Sequence, residues 1–336
     1  MENYPGPSQE PNLENDSPSA VVTIIPPKPP AEEPKSRANV WLRSISSLGL
    51  YLAIGYYFFN QNWTLVLVLT GVVVFHELGH FLAMKFYNYT ELGIFFIPLV
   101  GAYASGKKHE VSQLQSSVIL LAGPVPGIIA GIILQLTAVH FTTDIDQLYL
   151  LHRISWILIF LNILNLLPIY PLDGGQLLNR LFLDSSQIIS KIFLFLSIGA
   201  LVWFALFGGP RPFYALLIIP FFLLTRMITD YQFDKLTKKV ESEGIDLDTS
   251  YEDISDENYW KIRNILIRNH ASLKDVAEAP PYEYSHKEDQ VRTLMQNLLQ
   301  RTIVQDISIV GKIIILLIWA GCFAAPFLIG MPLGLF

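Results

Sequence analysis

The chain carries one cysteine in 336 residues, Cys322, and that residue sits in an apolar run. A single thiol excludes a disulfide framework and a zinc site built from thiolates. Charge is also scarce, at 15% of residues against 51% hydrophobic. The 23 basic and 29 acidic residues form no dense Lys/Arg cluster. No nucleic-acid partner is therefore expected. Residues 1–38 contain no long hydrophobic run, so no cleavable signal peptide is expected there. No internal repeat is found.

What is abundant is apolar length. Runs at about 44–59, 64–87, 117–142, 152–169, 188–208, 212–229 and 308–330 predict an all-α polytopic membrane protein with about seven transmembrane helices. The lipid bilayer is thus its first partner. Nine of the 21 prolines fall in residues 1–38, including Pro26-Pro27-Lys28-Pro29-Pro30, which reads as a disordered, partly polyproline tail. The predicted transmembrane domain spans residues 39–230, with its core at about 64–183. Residues 231–306 hold 15 acids and 10 bases and read as a soluble, mainly helical segment. Within it Val291, Leu294, Met295, Leu298 and Leu299 have helical spacing, and Asp256–His270 predicts a second helix. Residues 307–336 carry the last membrane helix. The soluble segment is large enough to bind a cytoplasmic regulator or gate a site.

With the N-terminal stretch in the cytoplasm, the outside connections near 60–63, 143–151 and 209–211 carry Arg211 alone. That asymmetry follows the positive-inside rule. Between the second and third runs, Leu92–Tyr103 is β-rich and broken by Gly93, Pro98 and Gly101. Two readings fit it: a short re-entrant β segment, since irregular backbone is tolerated at membrane depth only under cover, or a loop lying on the membrane. In the first, its edge, near Gly93 and Gly101, pairs with an unwound substrate strand.

Inside the second run stands His76-Glu77-Leu78-Gly79-His80. From Thr64 to Phe86 the only other ionisable side chain is Lys85. Ionisable groups within a membrane helix cost about 2.5–3.5 kcal/mol each on insertion scales and mark function. Two histidines one helical turn apart can chelate one Zn²⁺ per chain, with Glu77 beside the place where water binds. A catalytic zinc needs a third protein ligand. Asp173 is the candidate, at the end of the fourth run in Asn165-Leu166-Leu167-Pro168-Ile169-Tyr170-Pro171-Leu172-Asp173-Gly174-Gly175, where two prolines break the helix. Asn162 and Asn165 share a face and could bind an oxyanion or substrate backbone; Asn162 equally fits an interhelical hydrogen bond.

The pair His76-Glu77-x-x-His80 and Asn165-x-x-Pro168-x-x-x-Leu172-Asp173-Gly174 resembles the two signature motifs of the site-2 protease family (peptidase family M50), over about Thr64 to Phe182. The resemblance implies His76, His80 and Asp173 as zinc ligands, Glu77 as catalytic base and Asn165 as a substrate or oxyanion contact. It further implies an intramembrane metalloendopeptidase acting on a transmembrane protein substrate, such as a membrane-anchored regulator, in regulated intramembrane proteolysis. The expected location is a bacterial inner membrane, with the site toward the cytoplasm. Many members carry Gly-Pro followed three residues later by asparagine; here Gly123-Pro124 is followed by Gly127. No segment resembles the PDZ domain that many members insert. A zinc-binding membrane scaffold without activity is the alternative, and intact Glu77 argues against it.

Overall fold

The computed structural model describes residues 25–30, 37–98, 100–108, 111–183, 187–209, 212–247, 249–299 and 303–328. Most of the stretch 1–38 read as a tail lies outside the described residues, as does the last apolar run beyond residue 328.

Helix α1 (Arg37–Phe58) is followed by α2 (Trp63–Phe86), which carries the His-Glu motif. Asn62 caps α2 by accepting the Leu65 N–H at 3.0 Å, satisfying one of the amides that a helix start leaves without a partner. The β-rich piece after α2 is an antiparallel hairpin of β1 (Thr90–Ile97) and β2 (Gly101–Lys107), with Gly93 opposite Ser105 and Ile97 opposite Gly101. Its β1 side rests on α1: the Phe96 N–H donates to Ser47 Oγ at 3.1 Å, and a Cβ on Gly93 would lie 2.7 Å from Val40.

The third apolar run is two helices, α3 (Gln113–Ala122) and α4 (Pro124–Phe141), separated at Gly123. Pro124 has no N–H to continue the ladder of α3, so the helix restarts with proline in its first turn. The run continues through α5 (Ile145–Asn165) to the proline-broken stretch and the short α6 (Asp173–Leu178). After a π-helical turn (Asn179–Leu183) come α7 (Gln187–Phe207) and α8 (Ile218–Ser242). Helices α9 (Asp256–Asn269) and α10 (Glu288–Leu299) form the two helical stretches expected in the soluble segment, and α11 (Ile309–Leu328) closes the described chain.

Among the described residues, five helical stretches are long and apolar enough to cross a bilayer: Trp63–Phe86, Gln113–Phe141, Ile145–Asn165, Ile188–Phe207 and Ile309–Phe327. The chain is a mostly helical integral membrane protein with a small antiparallel sheet.

Two apolar cores lie among the described residues. One joins Leu121, Ile128, Leu166 and Leu177 to Ile315 and Cys322, so α11 returns to pack on α3–α6. There Trp319 Nε1–H donates to the Leu166 carbonyl at 2.9 Å, a carbonyl left open where α5 breaks. The other core lies around Tyr259, Ile262, Leu266, Val291 and Met295. Inside it the Arg263 guanidinium, 1% exposed, meets both oxygens of Glu288 at 2.8 and 3.1 Å, and the Tyr259 hydroxyl donates to the same carboxylate. A short parallel pairing of β3 (Val111–Ser112) with β4 (Ile303–Val304) ties the end of the soluble segment to the start of α3. Asp306 completes that tie by accepting from Ser112 Oγ at 2.5 Å and from the Leu114 N–H at 3.1 Å.

Candidate metal centre

The helical pitch places His76 and His80 on one face of α2. Both are buried, at 6% and 7% exposure. Their opposite ring nitrogens are fixed by different elements. Asn162 on α5 donates through Nδ2 to the Leu158 carbonyl at 2.7 Å, which turns its Oδ1 to His76 Nδ1, also at 2.7 Å. An amide oxygen only accepts, so His76 carries its proton on Nδ1. His80 Nδ1 faces the Ile119 carbonyl of α3 at 2.7 Å, and the same reasoning protonates that nitrogen. Each neutral imidazole therefore presents a bare Nε2 lone pair.

These two lone pairs meet the third expected residue. Asp173 begins α6 and directs Oδ2 to 3.0 Å from His76 Nε2 and 3.3 Å from His80 Nε2, while the two Nε2 atoms are 3.1 Å apart. In their neutral form both imidazoles turn an unprotonated Nε2 toward Asp173 Oδ2, which is itself buried. Three converging acceptors repel one another unless a cation stands between them. Tetrahedral zinc ligands about 2.0–2.1 Å from the metal lie about 3.3 Å from each other, so the observed spacing fits such an ion. His76, His80 and Asp173 are a group that could hold a metal, and three protein donors leave a fourth position for water.

Glu77 is also buried, at 6% exposure, and its carboxylate accepts from the Ala104 backbone of β2. The hairpin thus reaches the centre through its β2 side, the side not covered by α1. Gly101 has φ +137 and nothing within 4 Å of where a Cβ would stand, whereas Gly93 is pressed against α1. Asn165 ends α5, half-buried, and makes no side-chain hydrogen bond among the described residues. Asn162 is committed to His76. The cavity of about 180 Å³ lined by Tyr170, Gln176, Asn179, Arg180 and Arg226 touches none of the three converging residues.

Glycine makes the approach of the helices possible. A Cβ on Gly79 would overlap the Ala122 carbonyl, one on Gly123 would overlap the His80 ring, and one on Gly127 would overlap the Asn162 carboxamide. These contacts, the Ile119 and Ala104 backbone partners and the Trp319 brace were not read from the sequence. The one signal available was the Gly-Pro-x-x-Gly of the third run. Its departure from the more usual asparagine has a counterpart here, since the space above Gly127 is filled by Asn162 from α5.

With this geometry in place, the chain was compared with known proteins. The model of peptidase family M50 matches residues 64–147 and 142–207. The membrane core thus matches peptidase family M50 from α2 to α7. The chain is 30% identical over 154 residues to a zinc metalloprotease of Methanocaldococcus jannaschii, covering 43% of this chain and 44% of that protein. It is 27% identical over 152 residues to the stage IV sporulation protein FB of Bacillus subtilis, covering 44% and 48%. The chain thus spans a little under half the length of these relatives. Among solved structures, a site-2 protease from Methanocaldococcus jannaschii matches with 26% identity and a TM-score of 0.39, over 53% of this chain and 84% of that one. The M50 match contains the whole triad and Glu77, and its last residue coincides with the end of α7.

Proposed function

We propose that the chain is an intramembrane zinc metalloendopeptidase that hydrolyses peptide bonds of transmembrane-helix substrates in regulated intramembrane proteolysis. The observation that carries this reading is the convergence of His76 Nε2, His80 Nε2 and Asp173 Oδ2, 3.0–3.3 Å apart, one residue away from a buried carboxylate.

In this reading His76, His80 and Asp173 hold one zinc ion per chain and Glu77 is the catalytic base. When bound, zinc lowers the pKa of water toward about 7 and polarises a carbonyl. Glu77 takes a proton from the attacking water and returns it to the leaving amine nitrogen as the C–N bond breaks. The Ala104 N–H, donating to Glu77, orients that carboxylate. A substrate helix hides its amides in internal hydrogen bonds and must unwind to present one. The open position at Gly101, where β2 begins, suits contact with an unwound strand. Asn165 at the end of α5 remains the candidate contact for the oxyanion or substrate backbone.

The wider assignment follows the same reading. Helices α1 and α8 are two further spans, for a total of seven, because α1 exposes Trp41, Leu42, Ile45 and Leu50, and α8 exposes Phe221, Phe222 and Ile228. We assign the centre to the cytoplasmic side of a bacterial inner membrane, and the distribution of basic residues supports that side. The transmembrane protease domain then covers 39–230, and residues 231–306 form a soluble segment open to a cytoplasmic regulator. The expected substrate is a membrane-anchored regulator.

The test is the detergent-solubilised chain mixed with a model transmembrane substrate, with zinc content measured in parallel. Glu77→Gln should retain zinc and lose cleavage by at least about 10²-fold, and Asp173→Asn should lose both. Full zinc content in a His76/His80/Asp173 triple alanine variant would overturn the assignment. Zinc binding without cleavage by the unaltered chain would favour a scaffold.

A further inference from the structure

Ile25-Pro26-Pro27-Lys28-Pro29-Pro30 lies against residues of the soluble segment between 222 and 262 positions later in the chain. Such a segment is poor in donors, because its four prolines carry no N–H, and its carbonyls face outward from an extended polyproline path. The soluble segment meets those carbonyls one after another. Trp260 Nε1–H donates to Pro26 O at 2.9 Å, and the Tyr284 hydroxyl donates to Pro27 O. The Tyr251 hydroxyl donates to Pro29 O at 2.8 Å, and Arg292 Nη1 to Pro30 O at 3.1 Å. Burial pushes the Tyr251 phenol up to about 12, so it is a donor throughout the neutral range.

Lys28 is read separately. Its backbone N–H donates to Asp256 Oδ1 at 2.8 Å. Its ammonium donates to the Glu252 carbonyl at 2.7 Å and to the Ile254 carbonyl, and lies 5.8 Å from the centre of the Tyr251 ring. Both donor groups that Lys28 brings to the contact thus find partners.

The surface that receives the segment is aromatic and braced from beneath. Trp260 stacks on Tyr284 with ring centres 5.6 Å apart and meets Tyr282 edge-on at 5.3 Å. The buried Arg263, fixed by Glu288, sits 4.9 Å from the Trp260 ring on α9. Aromatic grooves with ring N–H and O–H donors suit polyproline segments, because the ligand arrives already extended and loses little entropy on binding.

We propose that the soluble segment is a proline-peptide recognition module: Tyr251, Trp260, Tyr282 and Tyr284 form its groove, a polyproline II segment centred on lysine is its ligand, and residues 25–30 of the same chain occupy it. Any polyproline segment supplies the four carbonyls; only a lysine at the centre reaches the Glu252 and Ile254 carbonyls, so Lys28 determines specificity. Because α1 begins seven residues beyond Pro30, the contact clasps the chain entering α1 to α9. This inference does not depend on the peptidase reading.

The test uses the full chain in detergent and a dye-labelled peptide of residues 23–31, followed by fluorescence anisotropy. Replacing Pro26, Pro27, Pro29 and Pro30 by serine empties the groove without touching it. That chain is expected to bind the peptide in the micromolar range. The unaltered chain should bind at least about tenfold more weakly, because a tethered ligand competes at about millimolar effective concentration. A peptide with Lys28→Ala should bind the four-serine chain at least about tenfold more weakly, and Trp260→Phe or Tyr284→Phe, which each remove one donor, should weaken binding several-fold. If the four-serine chain melts below the unaltered chain, Lys28→Glu is the substitute and should bind the labelled peptide equally well. A four-serine chain that melts normally yet ignores the peptide overturns the proposal, as does equal binding of the Lys28→Ala peptide. A dimer formed by the unaltered chain and lost in the four-serine chain would assign the ligand to a second copy and overturn the same-chain contact.

Discussion

The Asn162 carboxamide accepts the Nδ1 proton of His76 at 2.7 Å, and it does so from the space that Gly127 leaves open. One residue thereby sets the tautomer of a histidine on another helix. Partners that orient metal-binding histidines in this way are typically worth 10–100-fold in metal affinity.

Asn162→Leu should therefore weaken zinc binding by about 10–100-fold, measured by competition with a chromophoric chelator. Gly127→Asn should act in the same direction, because its side chain would take the place of the Asn162 carboxamide. Unaltered affinity in both variants would mean that His76 needs no orienting partner.

Gly79 is where α2 and α3 touch backbone to backbone. Gly79→Ala forces a Cβ into the Ala122 carbonyl and should cost about 1–3 kcal/mol. Gly71 lies on the same helix with nothing within 4 Å of a Cβ, so Gly71→Ala is the control. Thermal melting in detergent should fall for the first and hold for the second. Equal melting of the two would remove the argument for close packing there.

Removing zinc should destabilise the membrane core, because the ion's bonds joining α2 to Asp173 at the start of α6 are lost. A ligand bound at a thousand times its dissociation constant contributes about 4 kcal/mol. Addition of a chelator should lower the melting temperature and added zinc should restore it. Asp173→Asn should show little response to either. A chelator response of full size in that variant would place the metal elsewhere.

The segment holding α9 and α10 should carry its own acid sensitivity. Burial pushes the Glu288 carboxyl up, but Arg263, the Tyr259 hydroxyl and the Ser285 N–H outweigh it and hold the group below the usual carboxylate range. A depressed folded value means the stabilisation is complete above the unfolded pKa of about 4.3 and is lost as pH falls through the folded one. Hydrogen exchange of the α9 amides should therefore be insensitive to this pair from pH 7 to 5 and accelerate below. Glu288→Gln should remove that step and cost about 3–5 kcal/mol at neutral pH by leaving Arg263 buried with half its partner.

Much of this was legible in the chain itself, because it depends on local geometry. Helical pitch alone puts His76 and His80 on one face, and the apolar run around them fixes their setting in a membrane helix. Pro168 and Pro171 end α5 for reasons of backbone chemistry, and the spacing of Val291, Met295 and Leu298 announces α10. Tertiary structure decided everything that joins distant segments. It chose Asn162 to hold His76 and Ile119 to hold His80, brought Ala104 to Glu77, and sent Trp319 back to the broken end of α5. None of these has a periodic signature, because each depends on where one helix crosses another. The proline-rich stretch shows the same division. Its composition says that it cannot build a core, which is a property of the segment alone. That residues 25–30 nevertheless rest on Trp260 and Tyr251 follows from an aromatic groove assembled elsewhere, by a buried Arg263–Glu288 pair that no local pattern reveals.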